Sequence, residues 1–587
     1  MDKTSPLGSI SHSTLNEFCG YLIIEVLARL GVDLIVSSPG SRSTPLIFAA
    51  SRNNRINLVS FLDERSASYY ALGYAKASGK PAVLICTSGT AAANYFPAII
   101  EAKLSSIPLI IISCDRPFEL RDCSAGQTID QTKLYGTYVN AFSELGLPEN
   151  SSDYFNYLRQ TIVHAYSKSS SFLNGPVHLN ASFREPFIDL SEVSNFHNDF
   201  QATLNSYSTV ICKLSDLTRP DISIDSLLLE KIQSHSKGLI IVGNAQWISD
   251  DEGEIDALSK LSDKLGWPII SDALNPLRNF SDRYDSLIIN YNYILRSPDK
   301  LECLKPTALL QIGELPTSKV LRSWLKVVKP TQFTLGNGCS NKDPLNNYTI
   351  PILGTINALD KALEAKIVDT EWISKWSNAE DKAAEYINNY LHNVNQRFEG
   401  LIANTLSRSV PKGTQIILAN SMSVRYAEEF WEKNDSQCPM YCNRGANGID
   451  GTISTALGIA DNKKPSVLLT GDLAFLHDSN GLLNHSSLDL NMAIIVVNNN
   501  GGGIFEHLAI SKDPGFNHFW ATPQNFSLSH FCKSVSIRYT YADNLSVISK
   551  AVNQIKGKGV QIIEFECDRK KDAERLHEIR NLFKDNV

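Results

Sequence analysis

The sequence predicts an α/β protein made of three doubly wound domains, each a parallel sheet covered by helices. Three observations carry this reading. Short apolar runs bounded by turn residues recur along the chain, stretches of helical periodicity lie between them, and 587 residues exceed what one hydrophobic core encloses. Alternation of this kind buries a parallel sheet between helical layers.

In the first block the strands are VDLIVSSPG, PAVLICTSG, PLIIISCD and PVHLNASF, with helices expected over ERSASYYALGYAKA and AAANYFPAIIEAK. The block closes at Arg184-EPF, which gives a first domain over residues 1–187. The polar stretch from Asp189 to about Pro220 reads as a linker or irregular entry. GLIIVGNA, WPIISDAL, TALLQIGE and TQFTLG form a second block, over 210–365, which fades into TINALDKALEAK. A charged helix, EWISKWSNAEDKAAEYINNYL, follows near the start of the third domain, over 375–587. Its strands are QIILANS, PSVLLTGD, MAIIVVNNN and VQIIEFE. Ligands of such sheets bind beyond the carboxyl ends of the strands.

Composition narrows the function. A net charge of −7 without a Lys/Arg block disfavours a general nucleic-acid surface, so an anionic substrate must be captured by local cations. The eleven cysteines show no CxxC pair and no zinc spacing, and Cys438 and Cys442 read as buried reduced thiols. The first residues lack the pattern of a signal peptide, and no apolar run approaches the roughly 20 residues of a membrane span. A cytoplasmic location is therefore expected.

PSVLLTGD ends in Asp472, and the next strand ends in Asn498-NNGGG. Asp472 and Asn499 are 27 residues apart, about one helix plus one strand, so neighbouring strand ends carry a carboxylate and an amide oxygen. Mg²⁺ takes such oxygen ligands, and Mn²⁺ is accepted by the same donors. Glycines 501–503 let the backbone approach a diphosphate, and a carbonyl at Gly501 is a third candidate ligand. Taken singly, Gly-Asp is also a helix start and NNNGGG a turn.

Gly471-Asp472 followed by Asn498-Asn499 resembles the thiamine diphosphate motif of the pyruvate-decarboxylase-like enzymes, with Leu473 where many members have glycine. The resemblance implies that Gly471, Asp472, Leu473, Asn499 and Gly501 bind cofactor and metal. It also implies that Glu64, which follows the apolar strand of NLVSFL and opens a small-residue helix, activates the cofactor's aminopyrimidine, with Thr87 and Gly89 of the TSGTA segment beside it. Related enzymes place the cofactor across a dimer interface. A homodimer, or a dimer of dimers, is expected.

SPGSRSTPL, CDRPFELRDCSAGQTIDQ, NSMSVR and NRGANGIDGTISTALG are similar to one group within this class, the 2-succinyl-5-enolpyruvyl-6-hydroxy-3-cyclohexene-1-carboxylate synthase family of menaquinone biosynthesis. Its reaction decarboxylates 2-oxoglutarate and adds the succinyl carbanion equivalent to isochorismate. Two dianionic substrates need fixed cations, and Arg42, Arg116, Arg425 and Arg444 each follow a strand, where a planar guanidinium pairs with carboxylate. The resemblance adds Ser41, Gln127, Lys319 and Ser421 to the substrate set. It assigns Arg425 and Ser421 to 2-oxoglutarate; Arg42, Arg116 and Lys319 to isochorismate; and Gln127 to the reacting adduct. Ile449 would wedge the cofactor, and Ile504 and Phe505 would wall it. Two departures concern isochorismate: Val320 replaces a second basic residue, and Gly126 stands where some relatives have asparagine. His477 reads as structural. Another thiamine diphosphate-dependent 2-oxoacid ligase or decarboxylase shares the cofactor motif without needing these arginines, and a non-catalytic nucleotide-binding scaffold would need neither.

Overall fold

The computed structural model describes residues 5–170, 173–190, 193–210, 224–245, 252–336, 341–394, 397–461, 464–555 and 559–586. Their backbone forms three six-stranded sheets, parallel throughout and covered by helices.

The first sheet comprises β1 (Leu34–Ser37), β2 (Asn57–Ser60), β3 (Ala82–Cys86), β4 (Leu109–Asp115), β5 (Phe142–Glu144) and β6 (Pro176–Ser182), in the order β2-β1-β3-β4-β6-β5. The second holds β7 (Gly238–Val242), β8 (Ile269–Ser271), β9 (Leu287–Ile288), β10 (Ala308–Ile312), β11 (Thr331–Gly336) and β12 (Thr349–Leu353), in the order β12-β11-β10-β7-β8-β9. The third has β13 (Gln415–Leu418), β14 (Met440–Tyr441), β15 (Ser466–Gly471), β16 (Asn491–Asn498), β17 (Arg538–Tyr541) and β18 (Gly559–Glu566), in the order β14-β13-β15-β16-β18-β17. In the first and third sheets the chain steps one way to the edge, then returns past its starting strand. The switch points lie between β1 and β3 and between β13 and β15, where doubly wound sheets open a crevice.

The chain divides into two compact units. One contains residues 1–219 together with 443–461 and 478–488, two segments that leave the third sheet's chain to pack on the first block. Helix Thr452–Ala460 lies against helix Glu64–Ser78 there, and glycine sets the approach. A Cβ on Gly73 would stand 2.0 Å from the Thr455 carbonyl oxygen, and one on Gly458 would stand 2.0 Å from that of Tyr70. No side chain fits at either crossing point. Hydrogen bonds from Tyr69 to Asp450 and from Tyr70 to Asp461 fix the ends of the contact.

The second unit contains the second and third sheets around one continuous apolar core. A buried ion pair ties them. Arg278 donates to the Glu428 carboxylate at 2.9 Å and to the carbonyls of Ser271, Glu428 and Trp431. Glu428 also accepts the Ala273 backbone N–H, so both buried charges are fully solvated by protein.

Asp189–Pro220, expected as an irregular linker, contains helix Val193–Tyr207; residues 211–220 lie outside the described residues. Its polar face hid a period of apolar positions, Phe200 and Leu204 among them, that packs on the first core. Cys438 and Cys442 are buried and free, as are all described buried cysteines. Among the described residues no helix is long and apolar enough to cross a membrane.

Candidate active site

Parallel topology puts every carboxyl end of the first sheet on one side, and there the predicted residues gather. After β1 the chain turns through Ser41, which is exposed, and Arg42, which is 2% exposed. The Arg42 guanidinium donates to the Phe183 carbonyl at 2.8 Å and to Glu185 Oε1 at 3.0 Å, and it stacks over the Phe187 ring. Arg116, following β4, reaches the same Glu185 oxygen from 3.6 Å. The Nε atoms of both arginines are buried without a hydrogen-bond partner. Two guanidiniums thus converge on one carboxylate and retain donor capacity, which is what a dianionic ligand requires.

After β3, the Thr87 hydroxyl is buried and unpartnered, and a Cβ on Gly40 would collide with its side chain. β1 and β3 therefore meet closely at the switch point. The Gly89 N–H donates to Gln131 Oε1, and its left-handed φ of 91° turns the chain into the next helix. Gln127 is exposed and left-handed, with Nε2 donating to the Ser88 carbonyl while the Ser88 hydroxyl donates back to Gln127. Glu64 follows β2 as the first residue of its helix, half-buried, with Asp63 accepting the Arg65 N–H as the cap.

Arg444 and Ile449 lie on the 443–461 segment, and this unit holds them along the helices at the first sheet's face. Glu101, 2% exposed, accepts the backbone N–H groups of Gly445 at 3.0 Å and Ala446 at 2.7 Å, while Lys76 bridges Glu101 and Asn443. The loop bearing Arg444 is clamped by a carboxylate that no motif marked. The Ile449 carbonyl accepts the Thr452 hydroxyl, fixing that turn.

The second unit contains the acid, the amides and the glycines. Asp472, 4% exposed, starts helix Asp472–His477; its Oδ1 accepts the Leu473 N–H and its Oδ2 the Gly501 N–H, both at 2.8 Å. Gly471 ends β15. The loop after β16 is thereby pinned to the end of β15. Burial pushes the Asp472 carboxyl up to about 6, against those backbone N–H groups and Arg569. Asn499 donates through Nδ2 to Glu399 at 3.2 Å, while its Oδ1 is buried without a partner. Asn498 instead donates to Glu564 and belongs to the sheet. Gly501 has φ 124°, and a Cβ there would stand 2.3 Å from the Ala521 carbonyl. Ile504 and Phe505 follow on a short turn of helix, both part-buried. Arg569, after β18, donates to the Asn500 carbonyl, Asn517 and Glu506, closing the loop from the far side.

Ser421, past β13, sits at φ 71°, a strained conformation for a non-glycine residue, and its carbonyl accepts from Arg425 at 2.5 Å. Burial, then Arg580 and Arg425 among its neighbours, holds His507 down at about 4, so this imidazole is neutral at pH 7. Lys319 is the exposed first residue of helix Lys319–Val328. Arg322 does not stand in for the missing basic residue, because it donates to the carbonyls of Leu315 and Pro316. His477 is exposed at the end of its short helix.

Comparison with known proteins bears on both units. Three family descriptions match: "Thiamine pyrophosphate enzyme, N-terminal TPP binding domain" over residues 19–134, "Middle domain of thiamine pyrophosphate" over 221–418, and "Thiamine pyrophosphate enzyme, C-terminal TPP binding domain" over 422–565. A 2-succinyl-5-enolpyruvyl-6-hydroxy-3-cyclohexene-1-carboxylate synthase of Gloeothece citriformis is 42% identical over 571 residues, covering 97% of this chain and 98% of the relative. Synthases with the same name from Rippkaea orientalis and Trichodesmium erythraeum are each 41% identical, over 96% of this chain. The chain belongs to this synthase family. Like the family, it is a thiamine diphosphate-dependent enzyme that forms carbon–carbon bonds. As a member of the synthase family its three sheets correspond to the N-terminal, middle and C-terminal domains of that class.

The residues present fit the group that the family uses. A buried amide oxygen without a partner, a buried carboxylate that accepts two backbone N–H groups, and a glycine loop without room for Cβ atoms offer oxygen donors of the kind a hard divalent cation takes.

Proposed function

We propose that this chain decarboxylates 2-oxoglutarate and adds the remaining four-carbon unit to isochorismate in a 1,4-fashion, releasing CO₂, as a step of menaquinone biosynthesis. The observation that carries the cofactor reading is the unpartnered Asn499 Oδ1 on a loop that Gly501 pins to Asp472. Asp472, Asn499 and the Gly501 carbonyl would ligate Mg²⁺, or Mn²⁺, and Gly471 and Leu473 would border the diphosphate. Bound thiamine diphosphate would supply the nucleophilic carbon and the electron sink for decarboxylation.

The chain's own groups do the rest. Glu64, half-buried at its helix start after β2, would offer a carboxyl to the aminopyrimidine, with Thr87 and Gly89 following β3, two strands over in the same sheet. Arg42 and Arg116, with Ser41, would take a carboxylate where Glu185 now accepts from Arg42 and ion-pairs with Arg116. Gln127, whose side chain lies beside Gly89, would hydrogen-bond the reacting adduct. Arg425 and Ser421 would hold the distal carboxylate of 2-oxoglutarate, and Lys319 and Arg444 would complete the cationic lining. Ile449, Ile504 and Phe505 would exclude water, since a low dielectric favours loss of CO₂ from a charged precursor.

The reading extends to domains over 1–187, 210–365 and 375–587, each containing one complete sheet, and to a cytoplasmic homodimer. Product analysis tests it. Protein given Mg²⁺, thiamine diphosphate, 2-oxoglutarate and isochorismate yields the succinylated cyclohexene product, and turnover of pyruvate at equal efficiency would overturn the substrate assignment.

A further inference from the structure

Glu399 bears no motif, precedes helix Gly400–Ser409, and is 4% exposed. Its Oε2 accepts from Asn499 Nδ2 at 3.2 Å. Its own backbone N–H donates to Asp572 Oδ2 at 3.3 Å, and Asp572 in turn accepts from Arg575 at 3.0 Å. Arg575 also donates to the Arg397 carbonyl, so the segment before Glu399 and helix Arg569–Asn586 are laced together. The amide that Glu399 holds is otherwise confined: a Cβ on Gly503 would stand 3.1 Å from Asn499 Nδ2.

An asparagine amide has two faces of opposite character. Its oxygen attracts a cation and its NH₂ repels one, yet the two are nearly equal in size, so packing alone does not select between them. The unprotonated oxygen of a carboxyl accepts from NH₂, whereas an amide oxygen placed beside that atom meets another acceptor. Glu399 therefore selects the orientation that leaves Oδ1 free. The buried, unpartnered state of that oxygen is the outcome.

We infer that Glu399 is a positioning residue for the metal site: it holds the Asn499 amide with its oxygen toward the cation, and Asp572 and Arg575 hold Glu399. The inference rests on the reading of Asn499 as a ligand. Such outer partners of ligands commonly govern affinity by about 10–100-fold.

The test measures binding of Mn²⁺ to the full chain in the presence of thiamine diphosphate, by electron paramagnetic resonance of the free ion, with melting temperature recorded for each variant. Asn499→Ala weakens Mn²⁺ binding, and Glu399→Ala weakens it by about tenfold or more. Glu399→Gln, whose NH₂ can also pair with the Asn499 oxygen, selects less strictly and falls between the parent and Glu399→Ala. The double variant binds no more weakly than Asn499→Ala alone, because Glu399 acts only through that amide. If Glu399→Ala fails to fold, Glu399→Leu fills the same volume without an acceptor and is measured in its place. Parent-like Mn²⁺ affinity in the Glu399 variants alongside a weakened Asn499→Ala would overturn the inference and leave the ligand reading intact. Parent-like affinity in Asn499→Ala would remove the ligand reading itself.

Discussion

Arg42 Nη2 lies 3.0 Å from Glu185 Oε1, so one of the least exposed cations of the first sheet spends a donor on a carboxylate that is itself 65% exposed. Its other terminal nitrogen is fixed on the Phe183 carbonyl. Lysine lacks the planar fork that presents one nitrogen to each partner. Arg42→Lys is expected to raise KM for isochorismate roughly tenfold or more with a smaller change in kcat, measured in steady state. Glu185→Gln removes the resident counter-ion and is expected to move KM the other way, most at low salt.

Cation binding is expected to weaken in acid. Burial raises the Asp472 carboxyl to about 6, and only its ionised form ligates. Apparent Mg²⁺ affinity should fall about tenfold per pH unit below 6 and level off above 7, read from titrations in the presence of cofactor. The sign for folding is opposite. A raised carboxyl contributes stability to the metal-free protein that is complete below the unfolded pKa of 3.8 and is lost as pH rises through about 6. The melting-temperature gain on adding Mg²⁺ and cofactor should therefore grow from pH 5 to pH 7.5.

Glu64 and Asp472 belong to different compact units, and the proposed homodimer would take one of them from each subunit at every cofactor site. Glu64→Gln and Asp472→Ala are each expected to abolish turnover by several orders of magnitude. Refolded or exchanged together, they should regain about a quarter of parental activity, because half of the dimers are mixed and each mixed dimer rebuilds one of its two sites. Mixtures as inactive as the separate variants would show that both groups of each site come from one chain.

Gly73→Ala tests the helix crossing. The added methyl would meet the Thr455 carbonyl at 2.0 Å, and backbone cannot step aside as a side chain can. A loss of about 1–3 kcal/mol or more is expected by denaturant unfolding, although alanine is the better helix former.

Most central strands were legible because burial on both faces writes them as continuous apolar runs. The strands that escaped, β5, β9, β12, β14 and β17, all lie at or beside a free edge. β17 is largely exposed, β9 and β14 are two residues long, and β12, although it reads TIPIL, holds a proline and buries only one of its five residues. The same logic divides the site. Asp472, Asn499 and the glycines sit in a spacing set by one βαβ unit, and Arg42, Arg116 and Arg444 follow strand ends, while Arg425 lies in the helix after β13. Glu101, Glu185, Glu399 and Arg569 are charges at helix and loop positions, whose partners named above lie 25 to 345 residues away in the chain. Only folding brings them together.

The tyrosine of helix Glu64–Ser78 that bonds Asp450 is 381 positions upstream of it. A ribosome adding about 5–20 residues per second therefore leaves the glycine-lined groove of that helix bare for roughly 20–80 s before its covering partner emerges. The first compact unit of this chain is nearly the last to be finished during translation, and its nascent form offers a chaperone a standing target for most of synthesis.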